Sequence, residues 1–182
     1  MKEYFYLLSI SILLTINTFA QNKREINSMS KAQSPISDST GLISYSKTVK
    51  TELPDSIIFK RALHWYNTAI KSMRIQSEAN KKFNLVVAKG EFDLLGPEEG
   101  GSQPKAGRIK YTMKTYIKDG SFTTEITRFN IQNTIYTPIE TWIKTQEEDY
   151  KYKYYLIYIE EQSESILNSF VEMVNVKMYN RN

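Results

Sequence analysis

The sequence predicts an α+β domain: a four-stranded antiparallel sheet with two helices on one face, a two-layer sandwich in the order β-α-β-β-β-α. Three observations carry this expectation. Residues 108–118 alternate strictly, with Ile109, Tyr111, Met113, Thr115 and Ile117 on one side and Arg108, Lys110, Thr112, Lys114, Tyr116 and Lys118 on the other. One buried and one wet face is the signature of a sheet covered on a single side. Asp119-Gly120 then marks a tight hairpin, because its second residue must adopt positive φ. Finally, two long segments carry apolar residues at helical spacing, and each must bury its stripe against that sheet.

The elements follow in order. Residues 42–51 read as a strand with Ile43, Tyr45 and Val49 on one side, interrupted by Lys47. Pro54 stops it, and Asp55 or Ser56 is placed to cap the next helix. That helix runs from Ile57 to about Met73, with Ile58, Ala62, Trp65, Tyr66, Ala69, Ile70 and Met73 on its apolar stripe. Residues 84–94 form the second strand, directing Val86, Ala88, Gly90, Phe92 and Leu94 inward. A glycine there points to a bulge or a close helix crossing. Residues 96–107, rich in Gly and Pro, read as a mobile loop. After the hairpin, residues 121–131 return as a strand whose apolar parity shifts between Ile126 and Phe129, predicting a bulge near Thr127-Arg128. Residues 132–150 are irregular, with room for a short helix at Glu140–Thr145. A second long helix spans about Lys153 to Met178, through Tyr155, Ile159, Ile166, Phe170, Met173 and Val174. The tract Tyr150–Tyr154 fits either its start or an extra edge strand.

Ahead of this domain, assigned to residues 41–182, lie two segments of different character. Lys2 is followed by an apolar run from Tyr4 to Leu14, then by Thr18-Phe19-Ala20 and the polar Gln21-Asn22-Lys23-Arg24. This is the pattern of a secretory signal peptide over residues 1–20, cut after Ala20, and its apolar run is too short for a membrane span. Residues 21–40 are Ser, Asn, Gln and Lys rich and read as a flexible linker. With no cysteine in the chain, disulfides, thiolate chemistry and the acylated cysteine of a lipoprotein are excluded. The expected compartment is therefore the periplasm or the exterior, with no transmembrane segment after cleavage.

The chain has 182 residues and a net charge of +4, which signal removal leaves unchanged because it takes one cation, Lys2, and one anion, Glu3. That balance is mild and spread along the chain, unlike the basic patch of a nucleic-acid binder. Hydrophobic residues make up 41% and tyrosine supplies 13 residues, enough for a core without staples.

The chain resembles a bacterial family of exported proteins, domain-of-unknown-function family 4468, which has a TBP-like (TATA-box-binding-protein-like) fold. The resemblance rests on a signal ending Phe19-Ala20-Gln21, the strand before Leu53-Pro54, and the helix with Ala62, Trp65 and Tyr66. Lys89-Gly90, the hairpin from Gly107 to Gly120, Ile126-Thr127-Arg128-Phe129 and Pro138-Ile139-Glu140 complete it. It covers most of residues 42–172 and implies the TBP-like sandwich. It brings no activity and no site residues.

Chemistry-bearing residues are sparse. His64 is the sole histidine, on a helix with no partner placed for a triad or a zinc site. Glu98-Glu99, Glu147-Glu148-Asp149 and Glu160-Glu161 fit no calcium loop and read as solvated charge. Arg108, Lys110, Lys114 and Lys118 on the wet sheet face lack the apolar wedges that open a minor groove, so no nucleic-acid partner is expected. No catalytic, cofactor-binding or metal residue is assigned, and no cofactor is expected. The candidate binding surface is aromatic: Tyr136, Trp142, Tyr150, Tyr152 and Tyr154. The expected function is a non-catalytic envelope module that binds a protein, peptide or glycan. The alternatives are a carboxylate-dependent hydrolase of envelope glycan or peptide, and a structural subunit assembling through a sheet edge or the tyrosine-rich segment.

Overall fold

The computed structural model describes residues 34–70, 84–98, 100–118, 120–132, 136–146 and 149–176. The expected signal peptide and most of the expected linker lie outside the described residues, as do Met73 and Met178. The elements are β1 (Ser44–Lys50), α1 (Asp55–Ala69), β2 (Leu85–Leu95), β3 (Lys105–Lys118), β4 (Ser121–Gln132), β5 (Tyr136–Pro138), a 3-10 turn (Ile139–Thr141), α2 (Trp142–Thr145) and α3 (Tyr150–Asn175).

The sheet is antiparallel in the order β1-β4-β3-β2. It holds one strand more than expected, since the three-residue β5 pairs with β4 through Asn130, Ile131 and Gln132. β5 thereby continues the same edge that β1 occupies further along β4. The β3–β4 hairpin closes as predicted, with Lys118 opposite Ser121 and Gly120 at φ 73°. The parity shift in β4 is also a bulge: Arg128 takes φ 57°, and one β3 residue opposes two of β4 between the Lys110–Asn130 and Thr112–Thr127 pairs.

Helices α1 and α3 pack against the sheet and each other. Along β3 the alternating residues Ile109, Tyr111, Met113, Thr115 and Ile117 are all buried. At the centre, Trp65 and Tyr66 of α1 meet Phe170 of α3 and Phe122 of β4, with Phe170 ring centroids 5.2, 5.6 and 5.9 Å away from the other three. The Tyr66 hydroxyl would be costly to bury alone. It bonds Thr115 Oγ1 at 3.0 Å, which in turn donates to Thr124 Oγ1 at 3.2 Å. Burial raises the Tyr66 hydroxyl pKa, and it lifts that of Tyr111 to about 12.

Several local expectations change. Pro54, not Asp55 or Ser56, is the residue before the first helical turn, and no side chain caps it. Asp55 lies one position inside, where its charge complements the helix dipole. Proline at position 54 has an extended ψ of 143°, which moves the helix start to the next residue. The expected loop 96–107 is shorter, because β3 begins at Lys105 and pairs with Leu95. Tyr150–Tyr154 is helical, since Asp149 caps α3 by accepting the Lys151 N–H at 2.9 Å. Gly90 marks neither a bulge nor a helix crossing. It faces Tyr111 in an unbroken register, and a Cβ there would lie 1.8 Å from that ring.

Two side chains tie distant segments together. Arg61 of α1 donates to the Val174 and Val176 carbonyls at 2.8 and 2.6 Å, satisfying the end of α3. Lys47 interrupts the apolar side of β1 because it reaches Glu164 and Asn168 of α3, at 2.7 and 2.5 Å. At the end of the expected linker, residues 35–40 turn back on β1, with Ile36 bridging Ile43 and the Pro35 carbonyl accepting from Ser44 N–H.

Glu140 gives the Pro138-Ile139-Glu140 tripeptide its structural meaning. Ile139 is fully buried, and Glu140 Oε1 accepts the N–H of buried Ile43 at 3.0 Å. Glu140→Ala removes that acceptor and is expected to cost about 1–3 kcal/mol of unfolding free energy, read from urea denaturation. Glu140→Gln keeps an oxygen there and retains most of it.

Candidate functional site

The aromatic candidates sit where α2 leads into α3. The Gln146 N–H bonds the Trp142 carbonyl at 2.9 Å, the Asp149 N–H bonds Thr145 at 3.0 Å, and Asp149 then caps α3. With the start of α3 held, helical spacing sorts the tyrosines onto two faces.

Tyr152 and Tyr155 face inward to α2. Their ring centroids lie each 5.6 Å from Trp142 and 6.4 Å from one another. Trp142 is 7% exposed, so it closes this end of the core. Lys151 Nζ sits 5.8 Å from the centre of the Tyr155 ring, within cation–π range.

Tyr150, Tyr154 and Tyr158 recur every fourth residue along the other face. Tyr150 is 36% exposed and the other two are half-buried. The Tyr154 and Tyr158 rings are near parallel, 23° apart in plane, with centroids 6.5 Å apart. Tyr154 is held by Gln103, whose Nε2 donates to its hydroxyl at 3.3 Å, and Tyr158 meets Phe92 of β2 at 6.4 Å. Phe92 continues to Tyr111, Phe129 and Tyr45, with neighbouring centroids about 6 Å apart. The tyrosine face is thus the outer end of an aromatic chain running through the core. Burial raises the Tyr154, Tyr155 and Tyr158 hydroxyl pKa values above the usual tyrosine range; for Tyr154, neighbouring Tyr158 and Glu161 add to it, and for Tyr158, Asp93 and Glu161. The hydroxyls are therefore neutral donors at physiological pH.

Tyr155, whose ring centroid lies 6.3 Å from that of Tyr154, joins the two faces, so that Trp142, Tyr152 and Tyr154 belong to one aromatic assembly, with Tyr150 at the start of the same helix. Tyr136 lies on β5, its backbone opposite Gln132. Sequence reasoning missed Tyr158 and Phe92. The spacing Tyr150-Tyr154-Tyr158 is a helical stripe, legible once the helix begins at Tyr150.

Other charged candidates are arranged differently. His64 is exposed on α1. Glu160 has its carboxyl pKa raised by partial burial and by Glu164 and Glu161. Glu161, Glu164 and Glu172 line an open groove on α3 with Ser165, Asn168 and Ser169. Among the described residues, no three His, Asp or Glu side chains converge to hold a metal ion. On the open sheet face, Arg108 pairs with Glu91 at 3.0 Å and Asp93 at 3.4 Å, and Lys105 pairs with Asp93 at 2.7 Å.

Residues 45–132, from β1 through β4, match the model of a family described as a domain of unknown function (DUF4468) with TBP-like fold. Two crystal structures share the fold. A TBP-like protein from Parabacteroides distasonis ATCC 8503 is 17% identical, with a TM-score of 0.57 over 77% of this chain and 98% of its own. A DUF4468 family protein from Bacteroides ovatus ATCC 8483 is 11% identical, with a TM-score of 0.60 over 78% of this chain and 93% of its own. No curated protein matches the sequence.

Proposed function

We propose that this chain, whose residues 45–132 match the DUF4468 family model with TBP-like fold, is a non-catalytic binding module of the bacterial envelope, exported by a signal peptide at residues 1–20. It acts in the periplasm or outside the cell and presents its tyrosine face to a protein, peptide or glycan. The observation that carries this reading is the half-exposed Tyr154–Tyr158 pair, backed by Phe92 and held by Gln103. Rigid aromatic rings with neutral hydroxyls offer large contact area at low entropic cost, the property that makes tyrosine a frequent anchor in interfaces. The cations of the open sheet face are interleaved with Glu91 and Asp93, which favours these partners over a nucleic acid.

A pull-down from envelope extract tests this directly. The unmodified domain is expected to retain a specific partner or glycan fraction. Tyr154→Ala, with unchanged circular dichroism, is expected to weaken retention by roughly tenfold or more. Retention of nothing specific, or retention indifferent to Tyr154 and Tyr158, overturns the assignment. N-terminal sequencing of the exported protein checks the compartment, with Gln21 the expected first residue.

A further inference from the structure

We infer that β2 pairs with its own copy in a second molecule, joining two sheets into one through a two-fold axis at Gly90. Among the described residues, β2 ends the sheet and pairs on one side only, with β3. Its pairing runs without irregularity from Leu85 to Leu94, and the single shift lies between Leu94 and Leu95. A long, regular edge is a template for another strand unless something blunts it. The opposite edge is treated differently: Ile36 bridges Ile43 at the start of β1, and the Pro35 carbonyl accepts from Ser44.

The sequence of β2, LVVAKGEFDLL, is complementary to itself about its middle residue at every facing pair but Val87–Asp93, where the carboxylate is already paired with Lys105 and Arg108 of its own molecule. In an antiparallel strand pair, residues directly opposite point to the same face. Centred on Gly90, Lys89 of each copy stands opposite Glu91 of the other. On the same face, Leu85 meets Leu95. On the helix-covered face Val86 meets Leu94 and Ala88 meets Phe92, so apolar groups meet apolar groups. Lys89 is exposed, and Leu85, Glu91, Phe92 and Leu95 are half-exposed in the single molecule. Neighbouring registers are poorer: centring on Lys89 or on Glu91 sets like charges face to face, centring on Phe92 opposes Glu91 to Asp93, and centring on Ala88 sets Lys89 and Glu91 against Val87 and Leu85. Gly90 suits the centre because its face is already covered by the Tyr111 ring, leaving the two backbones to approach without side chains between them. The two-fold axis runs normal to the sheet, so both helix layers lie on one side and the interface is isologous.

Charge exchange across the axis tests this with the purified protein in analytical ultracentrifugation. The unmodified protein is expected to dimerise. Lys89→Glu sets two Glu–Glu pairs against each other, Glu91→Lys two Lys–Lys pairs, and each is expected to weaken association roughly tenfold. Mixing the two variants restores complementary pairs in a heterodimer, and combining both substitutions in one chain restores them in a homodimer. Lys89 is exposed, so Lys89→Glu alone decides the matter if Glu91→Lys, which also loses its Arg108 pair, does not fold. A monomer at every soluble concentration, or a dimer indifferent to Lys89→Glu, overturns the inference.

Discussion

Phe170→Ala is expected to lower the unfolding free energy by about 3–5 kcal/mol. Phe170 is fully buried on α3, where it touches both α1 and the sheet. Its ring meets Trp65 and Tyr66 of α1 edge-on or tilted, and Phe122 of β4 edge-on. Removing it leaves a cavity bounded by three large rings. Two of them cannot collapse into it without losing a bond: Tyr66 is tied to Thr115, and Trp65 Nε1 donates to Ser169 Oγ at 3.3 Å. A small domain has only about 5–15 kcal/mol in total, so the variant is expected to sit near the threshold of folding. Urea denaturation followed by tryptophan fluorescence reads the loss. A cost below that of an ordinary Ile→Val change, about 0.5–1.5 kcal/mol, would show that α3 repacks freely on the sheet.

Gly90→Ala is expected to cost about 1–3 kcal/mol although it adds only a methyl group in a regular strand. The new Cβ would stand 1.8–2.3 Å from the far end of the Tyr111 ring. That ring has nowhere easy to go, because it is 5% exposed and lies between Phe92 and Phe129, with centroids 5.8 and 6.3 Å away. The strain is local to one pair, so a double-mutant cycle isolates it. In a Tyr111→Leu background, Gly90→Ala is expected to become nearly neutral or stabilising, since alanine suits a strand better than glycine. Equal costs in both backgrounds would show that the ring does not set the need for glycine.

These two positions also mark where sequence reasoning reached and where it stopped. Phe170 is legible as a core residue because it repeats on a helical stripe with Ile159, Ile166 and Val174. Gly90 is legible as unusual, but its reason is a cross-strand register that alternation alone does not supply. The same division holds at the candidate site. Tyr150, Tyr152 and Tyr154 stand out in the chain, yet their alternation fits a strand as well as a helix. The Asp149 cap decides for the helix, and only then do Tyr154 and Tyr158 fall on one face.

Patterns written along the chain specify the two-layer α+β plan, the buried face of β3, the Asp119-Gly120 hairpin and the β4 bulge. Each of these follows from short-range periodicity or from a residue whose backbone is locally restricted, and both are written along the chain. Packing of the layers supplies the rest: β5 shares the edge of β4 with β1, Glu140 serves Ile43, Tyr111 occupies the space over Gly90, and the tyrosine face rests on Phe92. Those are pairings between residues far apart in sequence, Glu140 and Ile43 being 97 positions apart. They arise because buried polar groups and ring faces take whichever partner the packed layers bring to them.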